Sequence, residues 1–224
     1  MKKLITLLLV LFTLNGYSQI QADSVYAYYK EITEDIWVID KNSDKWVKDT
    51  SRQWKWEEDV YIHVSGDKKD FIMEELILVV KELNELIDPI NFYITDDTLK
   101  RNCRLFIGSG KEYYNINPYY KDYIDGNGIK PFGYANQLGG TKFINAGLSF
   151  VDVDYIEKFK ERNNWNEERF KDAIKCTLRE EVTQMLGFSH DSYKYPNSIF
   201  QEAKYFPVTQ YSEIDKEIIK MLYN

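Results

Sequence analysis

Apolar side chains recur every three or four residues between residues 164 and 187, the spacing of one face of an α-helix. These positions are Phe170, Ile174, Leu178, Val182 and Met185. Asn164 precedes the stripe and Glu167 follows it three residues later, a capping-box spacing that predicts a helix start at Asn164. Gly187 is predicted to end the helix, because glycine readily adopts the left-handed conformation found after a last helical turn.

Similar patterns place the other elements. Alternation of apolar and polar residues predicts a strand at 60–64, and an apolar face predicts a long amphipathic helix from residue 70 to about 87. Further strands are predicted at 90–94, 103–107 and 142–153. Glycine, proline and tyrosine clusters make 111–140 the longest stretch predicted to be irregular. A last helix is predicted within 211–223, with Ser212 as its cap and Asp215 three residues later.

The first 18 residues have the composition of a secretory signal peptide: two lysines, an apolar run, and small residues at Gly16 and Ser18. The run is shorter than the roughly 20 residues needed to span a membrane. We therefore predict a signal peptide at 1–18, an N-terminal lead-in at 19–50 and a single domain at 51–224. The protein is expected to be exported, periplasmic or secreted, without membrane insertion after cleavage.

The net charge bears on which partners the protein binds, and the cysteine content bears on whether it contains a disulfide. The net charge of −7 and a pI near 5.1 argue against nucleic acid as a partner, because nucleic acid favours a clustered basic surface. Cys103 and Cys176 are the two cysteines. In an oxidising compartment they either form a disulfide or remain two buried thiols, and the sequence leaves both open.

The polar face of the 164–187 helix carries candidate chemistry. Glu180 and Gln184 are four residues apart and project side by side, with Glu181 about 100° round the axis. Zinc peptidases use H-E-x-x-H, in which two histidines bind the metal and the Glu is general base. In the extended motif, x-x-G-x-x-H, a glycine turn delivers a third histidine. Here Glu181, Gly187 and His190 match that frame, whereas Glu180 and Gln184 stand where the first two histidines would be.

This segment resembles the active-site helix of the metzincins, and more closely a family of exported bacterial proteins of unknown function with an R-E-E-x-x-Q-x-L-G helix. Residues 191–200 resemble the approach to the metzincin Met-turn, with Phe200 at the methionine position, and 211–223 is similar to the closing helix of matrix-type zincins. The resemblance covers 170–224. It implies an α+β, zincin-like fold: a twisted, mostly β upper half packed on two long helices, with a short C-terminal helix. It also implies that 142–153 is the edge strand beside a bound peptide.

The chain has only two histidines, so a three-histidine site is impossible. The candidate metal ligands are Glu180, Gln184 and His190, with Asp191 as a further candidate, and Glu181 is the candidate general base. A neutral amide is a poor zinc ligand, and oxygen-rich sets suit harder cations better. We therefore expect either no cofactor or a weakly bound divalent metal, zinc or calcium.

A purely structural interpretation stands beside this one. Glu180 and Gln184 then form an ordinary polar pair with Arg179 as a local counter-charge, and His190 only caps the helix end. Residues 125–128, Asp-Gly-Asn-Gly, fit a plain turn better than a calcium loop, because they lack the EF-hand spacing.

Three functions are compatible with these patterns. We favour a degenerate zincin that binds a peptide or an envelope protein without cleaving it. The second is an active metal-dependent peptidase with Glu181 as general base and Glu180, Gln184 and His190 as atypical ligands. The third is a structural envelope protein whose tyrosine-rich loop, 113–134, makes the contacts.

Overall fold

The structure, a computed structural model, describes residues 24–33, 36–40, 45–49, 54–118, 120–121, 131–139, 143–202 and 207–223. The predicted signal peptide and the turn at 125–128 lie outside these ranges. Within them, no helix combines the length and the apolar character needed to cross a membrane.

The elements follow one another along the chain in a strand-rich first half and a helix-rich second half. They are α1 (24–32), β1 (Ile36–Asp40), β2 (Lys45–Asp49), β3 (Val60–Gly66), α2 (Asp70–Leu86), β4 (Phe92–Ile94), β5 (Cys103–Gly108), α3 (Gly110–Ile116), β6 (Gly133–Gly139), β7 (Ile144–Asp152), α4 (Val153–Asn163), α5 (Glu167–Gln184) and α6 (Glu213–Tyr223). Strands β1 and β2 form an antiparallel pair of their own.

A mixed sheet of five strands forms the centre of the molecule, in the order β4-β3-β5-β7-β6. The first four of these run parallel, and β6 is antiparallel to its neighbour β7. Side chains alternate across the sheet, as strand geometry requires. Leu105 and Ile107 face the main core, whereas Phe106 and Phe150 belong to a second aromatic cluster with Tyr113 of α3. The predicted α+β class is confirmed.

Helices α2 and α5 supply most of the helical part of the main core. Their apolar stripes are buried as predicted, including Leu76 and Leu83 of α2 and Ile174, Leu178 and Val182 of α5. Each fully buried side chain of this kind stabilises the fold by about 1.5–3 kcal/mol relative to exposure. Helix α5 is thereby held rigidly with one face in the core, and its opposite face is available for a site.

The predicted start of α5 at Asn164 is wrong. Asn164 has a φ of 52° and ends α4 instead, because asparagine tolerates the left-handed conformation that closes a helix. The N-cap of α5 is Asn166, whose side chain accepts a hydrogen bond from the backbone N–H of Arg169 at 2.8 Å.

Two predictions about residues 111–153 are also wrong. The stretch 111–140 contains all but the first residue of α3, which has a capping box between Ser109 and Glu112, and the whole of β6. Strand β7, predicted at the sheet edge, lies between β5 and β6, so β6 forms this edge of the sheet and β4 forms the other. The sequence of β6, Gly-Tyr-Ala-Asn-Gln-Leu-Gly, is poor in branched residues, and its pairing with β7 specifies it as a strand.

Helix α1 packs into the main core through Tyr28, Tyr29 and Ile32. The Tyr28 hydroxyl is hydrogen-bonded to Ser198 Oγ at 2.7 Å, and Ser198 Oγ donates to Asp215 Oδ1 at 2.5 Å. Ser212 Oγ accepts from the backbone N–H of Asp215 at 3.3 Å, and Asp215 Oδ2 accepts from the backbone N–H of Ser212 at 2.9 Å, so the predicted cap of α6 is confirmed. One buried carboxylate therefore connects α1, the 191–202 segment and α6.

Both cysteines are buried free thiols, the second of the two alternatives. The Cys103 thiol lies 2.9 Å from the sulfur of Met185, and burial raises its pKa. Cys176 Sγ accepts a hydrogen bond from the backbone N–H of Val208 at 3.4 Å.

Candidate functional site

A cleft of about 570 Å³ lies between the edge strand β6, helix α5 and the segment that follows α5. Residues from five separate parts of the chain line it. They are Pro131, Phe132, Gly133, Tyr134, Ala135, Asn136, Gln137, Tyr155, Phe159, Glu180, Glu181, Gln184, Phe188, Ser189, Asp191 and Glu202.

The floor of the cleft is built from the last turns of α5 and the bend after it. Glu180, Glu181 and Gln184 project there because the opposite face of the helix is committed to the core. Gly187 then turns the chain with a φ of 122°, as predicted, and a side chain at this position would overlap the carbonyl oxygen of Trp54. The tight bend brings Asp191 back beside Gln184.

Glu181 lies directly under the first residue of β6. It is only 5% exposed, and any side chain at Gly133 would overlap its carboxyl group. Within the part of the chain that the structure describes, its Oε2 atom has no hydrogen-bond partner. Burial raises the pKa of Glu181 well above its usual range, and the nearby Asp191 raises it further.

Asp191 contributes another carboxyl group to the cleft. Its Oδ1 accepts a hydrogen bond from the Gln184 side-chain amide at 3.0 Å. Burial, followed by repulsion from Glu202, raises the pKa of Asp191 to about 7, and the Gln184 hydrogen bond opposes part of that rise. Gln184 therefore holds a carboxylate in position by its amide nitrogen.

Gln137 connects β6 to the end of α5. Its side-chain amide donates to the backbone oxygen of Gln184 at 2.5 Å and to that of Phe188 at 3.2 Å. These carbonyls belong to the end of a helix and the bend after it, where backbone oxygens need partners from outside the helix. The contact fixes the edge strand over the acidic floor of the cleft.

The structure brings together four of the five candidate residues, because Asp191 also lines the cleft. Glu180, Glu181 and Gln184 all line the cleft, and His190 does not, since its side chain is exposed. The backbone N–H groups of Ser189 and His190 both donate to the Ile32 carbonyl of α1, at 2.9 and 3.3 Å. This fixes the segment so that Asp191, the next residue, takes the inward position.

Across the described ranges, no group of three or more His, Cys, Asp or Glu side chains is arranged to hold a metal ion. The cleft is lined by carboxyl, amide and hydroxyl groups, and such oxygen donors suit hard cations better than zinc.

Comparisons with known proteins give one family match. Residues 165–224 match a family described as a protein of unknown function (DUF2927), a region that spans α5, the 185–212 segment and α6. Among solved structures, two of myroilysin are similar, each at 11% identity. The first has a TM-score of 0.46, and the alignment covers 77% of this chain and 82% of the myroilysin chain. The second has a TM-score of 0.45, and the alignment covers 78% of this chain and 86% of the myroilysin chain. A search of curated proteins finds no match.

Arg179 is not the counter-charge of Glu180 and Gln184, contrary to the structural interpretation of the sequence. It is fully buried on the other side of α5, where it pairs with Glu75 at 2.7 Å and with Glu82 of α2. Its guanidinium also lies over the Tyr211 ring, 4.6 Å from the centroid. The cleft carboxylates are thus separated from this cation by the helix itself.

Sequence patterns did not indicate Gln137, Glu202 or the aromatic wall made by Phe132, Tyr155 and Phe159. The wall is a set of edge-to-face contacts, with ring centroids 5.6 Å apart for Phe132–Tyr155 and 5.2 Å for Phe132–Phe159. These residues lie outside α5, and tertiary packing brings them to the cleft. A pair of glycines at the ends of β6, Gly133 and Gly139, is the one local signal of close backbone approach.

Proposed function

We propose that the protein is an exported, zincin-like domain with a degenerate metal site, and that it binds an extended peptide in the cleft without cleaving it. The observation that carries this proposal is the position of Glu180, Glu181 and Gln184 beneath the sheet edge strand β6. In the zincin frame, a peptidase would place two histidines at the first and third of these positions.

The edge strand supports peptide binding. β6 pairs with β7 along one side, and its other side adjoins the cleft. An edge strand offers unpaired backbone groups, to which an extended peptide can add as a further strand while its side chains enter neighbouring pockets.

The side chains at the candidate metal-ligand positions support the absence of cleavage. A catalytic zinc needs three protein ligands and an open position for the water that it activates. Gln184 offers a neutral amide, whose nitrogen is already turned towards Asp191, and the His190 side chain is directed to solvent. The set lacks the imidazoles that would hold zinc tightly.

The test uses the mature protein and a library of labelled decapeptides, with binding measured by fluorescence anisotropy and cleavage by mass spectrometry. We expect binding without cleavage. Each binding peptide is then prepared in two N-methylated forms, one methylated at its odd-numbered residues and the other at its even-numbered residues. Only one register should lose affinity, by tenfold or more, because a strand added to β6 pairs through every second residue.

Two results would overturn the proposal. One is the absence of binding by any peptide in the library. The other is stoichiometric zinc in protein purified without chelator, together with peptide cleavage that is lost in Glu181→Gln. That result would establish the active peptidase in which Glu181 is the general base and Glu180, Gln184 and His190 are atypical ligands.

A further inference from the structure

The face of the central sheet that points away from the main core is covered unevenly. Over β5 and β7, helix α3 packs Tyr113 against Phe106 and Phe150. At the β4 edge, opposite to the edge that borders the cleft, Tyr93 is 43% exposed. Its neighbour on β3 is Tyr61, and the two rings are stacked with their centroids 5.2 Å apart. This edge of the sheet therefore presents a pair of aromatic rings at the surface.

The connection between β4 and β5, residues 95–102, lies against β3 beside this aromatic pair. The backbone N–H of Tyr61 donates to Asn102 Oδ1 at 2.7 Å, and Asn102 Nδ2 donates to the Asp59 carbonyl at 2.8 Å. The ammonium group of Lys100 lies over the Tyr61 ring, 4.2 Å from its centroid. These contacts fix the connection, and the basic side chains that it carries, next to the two rings.

Basic side chains gather around His63 on this face, and we call them the basic patch: Lys68, Lys100, Arg101 and Arg104. Arg104 is the direct neighbour of His63 across the β3–β5 pair. Burial lowers the pKa of His63, and three members of the patch lower it further, namely Arg101, Lys68 and Arg104. Asp96 opposes them, but its side chain is 99% exposed and lies 3.7 Å from Lys68. Positive charge therefore outweighs negative charge around the imidazole.

The layout of the patch favours an extended anionic ligand with flat apolar faces. Alternate residues of a strand lie about 7 Å apart on the same face, so Tyr61 and the His63–Arg104 pair can contact successive units of a polymer. Arginine pairs with anionic oxygens through two parallel N–H bonds. The negative face of an aromatic ring attracts the polarised C–H groups of a sugar ring. A polymer of charged sugars offers both features together.

We propose that the basic patch, together with Tyr61 and Tyr93, binds an acidic polysaccharide, a sugar polymer that carries carboxylate or sulfate groups. Arg101 and Arg104 pair with the anionic groups, and a sugar ring packs on the exposed side of Tyr93. Nucleic acid fits less well, because it is charged at every nucleotide and the net charge of −7 repels it beyond the patch. The patch and the cleft lie at opposite edges of the sheet, so this site is separate from the proposed peptide site.

The two histidines of the chain provide the assay. His63 lies in the patch and His190 outside it, so their imidazole signals in an NMR spectrum report the site and an internal control. We expect hexagalacturonate and a heparin hexasaccharide to move the His63 signal to saturation and to leave the His190 signal in place. Maltohexaose, which is neutral, should bind at least tenfold more weakly. Added salt should weaken the binding of the acidic sugars and not that of maltohexaose.

Variants of the protein locate the contacts. Arg101→Gln and Arg104→Gln should each weaken hexagalacturonate binding about two- to fivefold, the effect of one exposed ion pair, and the double variant about tenfold. Tyr93→Ala should weaken the binding of acidic and neutral sugars alike, because it removes the stacking ring. Arg162→Gln, at an exposed position on α4 outside the patch, is the matched control and should leave the affinity unchanged.

Three results would overturn the inference. The first is a His63 signal that neither acidic sugar moves. The second is an oligothymidylate of similar length that binds more tightly than both acidic sugars, which would make the patch a nucleic-acid surface. The third is an equal loss of affinity in Arg162→Gln and Arg101→Gln, because binding would then follow the net charge of the protein and not the patch.

Discussion

Arg179→Met tests how helix α5, which carries the acidic floor, is fixed to the rest of the fold. The substitution keeps an unbranched stem and removes the guanidinium that contacts Glu75 and Glu82 of α2. Glu75 is 5% exposed, so it would be left as a buried carboxylate without its closest cation. Lys175, whose ammonium lies 3.8 Å from Glu75, would compensate in part.

Breaking a buried ion pair by removing one partner costs about 3–5 kcal/mol. Glu82 is 31% exposed and can regain water, and Lys175 remains near Glu75, so we expect a value near the lower limit, about 3 kcal/mol. For a domain of this size, 1 kcal/mol corresponds to roughly 2–4 °C in Tm, which gives a decrease of about 6–12 °C.

The assay is a double-mutant cycle with Glu75→Leu, measured by urea denaturation. The double variant should recover most of the lost stability, because replacing both partners of a buried pair by apolar residues is often close to neutral. A loss below about 1 kcal/mol in Arg179→Met would contradict the reasoning. So would a double variant less stable than both single variants. Peptide binding should be unchanged throughout, since the pair lies across the helix from the cleft.

Three further predictions concern the site. Gly187→Ala should destabilise the protein by about 3 kcal/mol in thermal unfolding, because the φ of residue 187 is positive and the methyl group would overlap the Trp54 carbonyl. If the variant were as stable as the wild type, the described turn would be wrong. Gly133→Ala should push β6 away from Glu181, weaken peptide binding at least tenfold and lower the free energy of unfolding by about 1–3 kcal/mol. Binding at the wild-type level would contradict the close approach of Gly133 to the Glu181 carboxyl group. The pKa of Asp191 is about 7 in the folded protein and 3.8 for the ordinary group. Between these pH values the folded state therefore binds more protons than the unfolded state. The free energy of unfolding falls progressively as the pH rises from about 4 to 7, by on the order of 4 kcal/mol if Asp191 titrates alone. Denaturation at pH 5 and pH 8 should show that Asp191→Asn loses this part of the decline; equal pH dependence in both proteins would refute the assignment.

The predictable part of the fold is the part specified by local periodicity. The apolar stripes of α2 and α5 and the alternation in β3 were sufficient to place these elements within a residue or two of their observed limits. The turn at Gly187 was predictable for a similar reason, since a single residue type satisfies its backbone conformation.

The parts that were not predicted depend on contacts between distant segments. β6 is a strand because β7 pairs with it, although its sequence has weak strand propensity. The inward position of Asp191 in place of His190 depends on the Ile32 carbonyl of α1, which no pattern around residue 190 reveals. The placement of Glu202 in the cleft likewise follows from tertiary packing alone.

The buried hydrogen bond between Tyr28 and Ser198 joins two residues that are 170 positions apart in sequence. During synthesis, α1 is made long before Ser198 and Asp215, and it must wait for both residues before these contacts can form. Contacts between such distant positions form late and slowly. The contacts of α1 with Ser198 and, through Ser198, with Asp215 therefore form only after α6 has been synthesised, and α1 is without these partners in any shorter nascent chain.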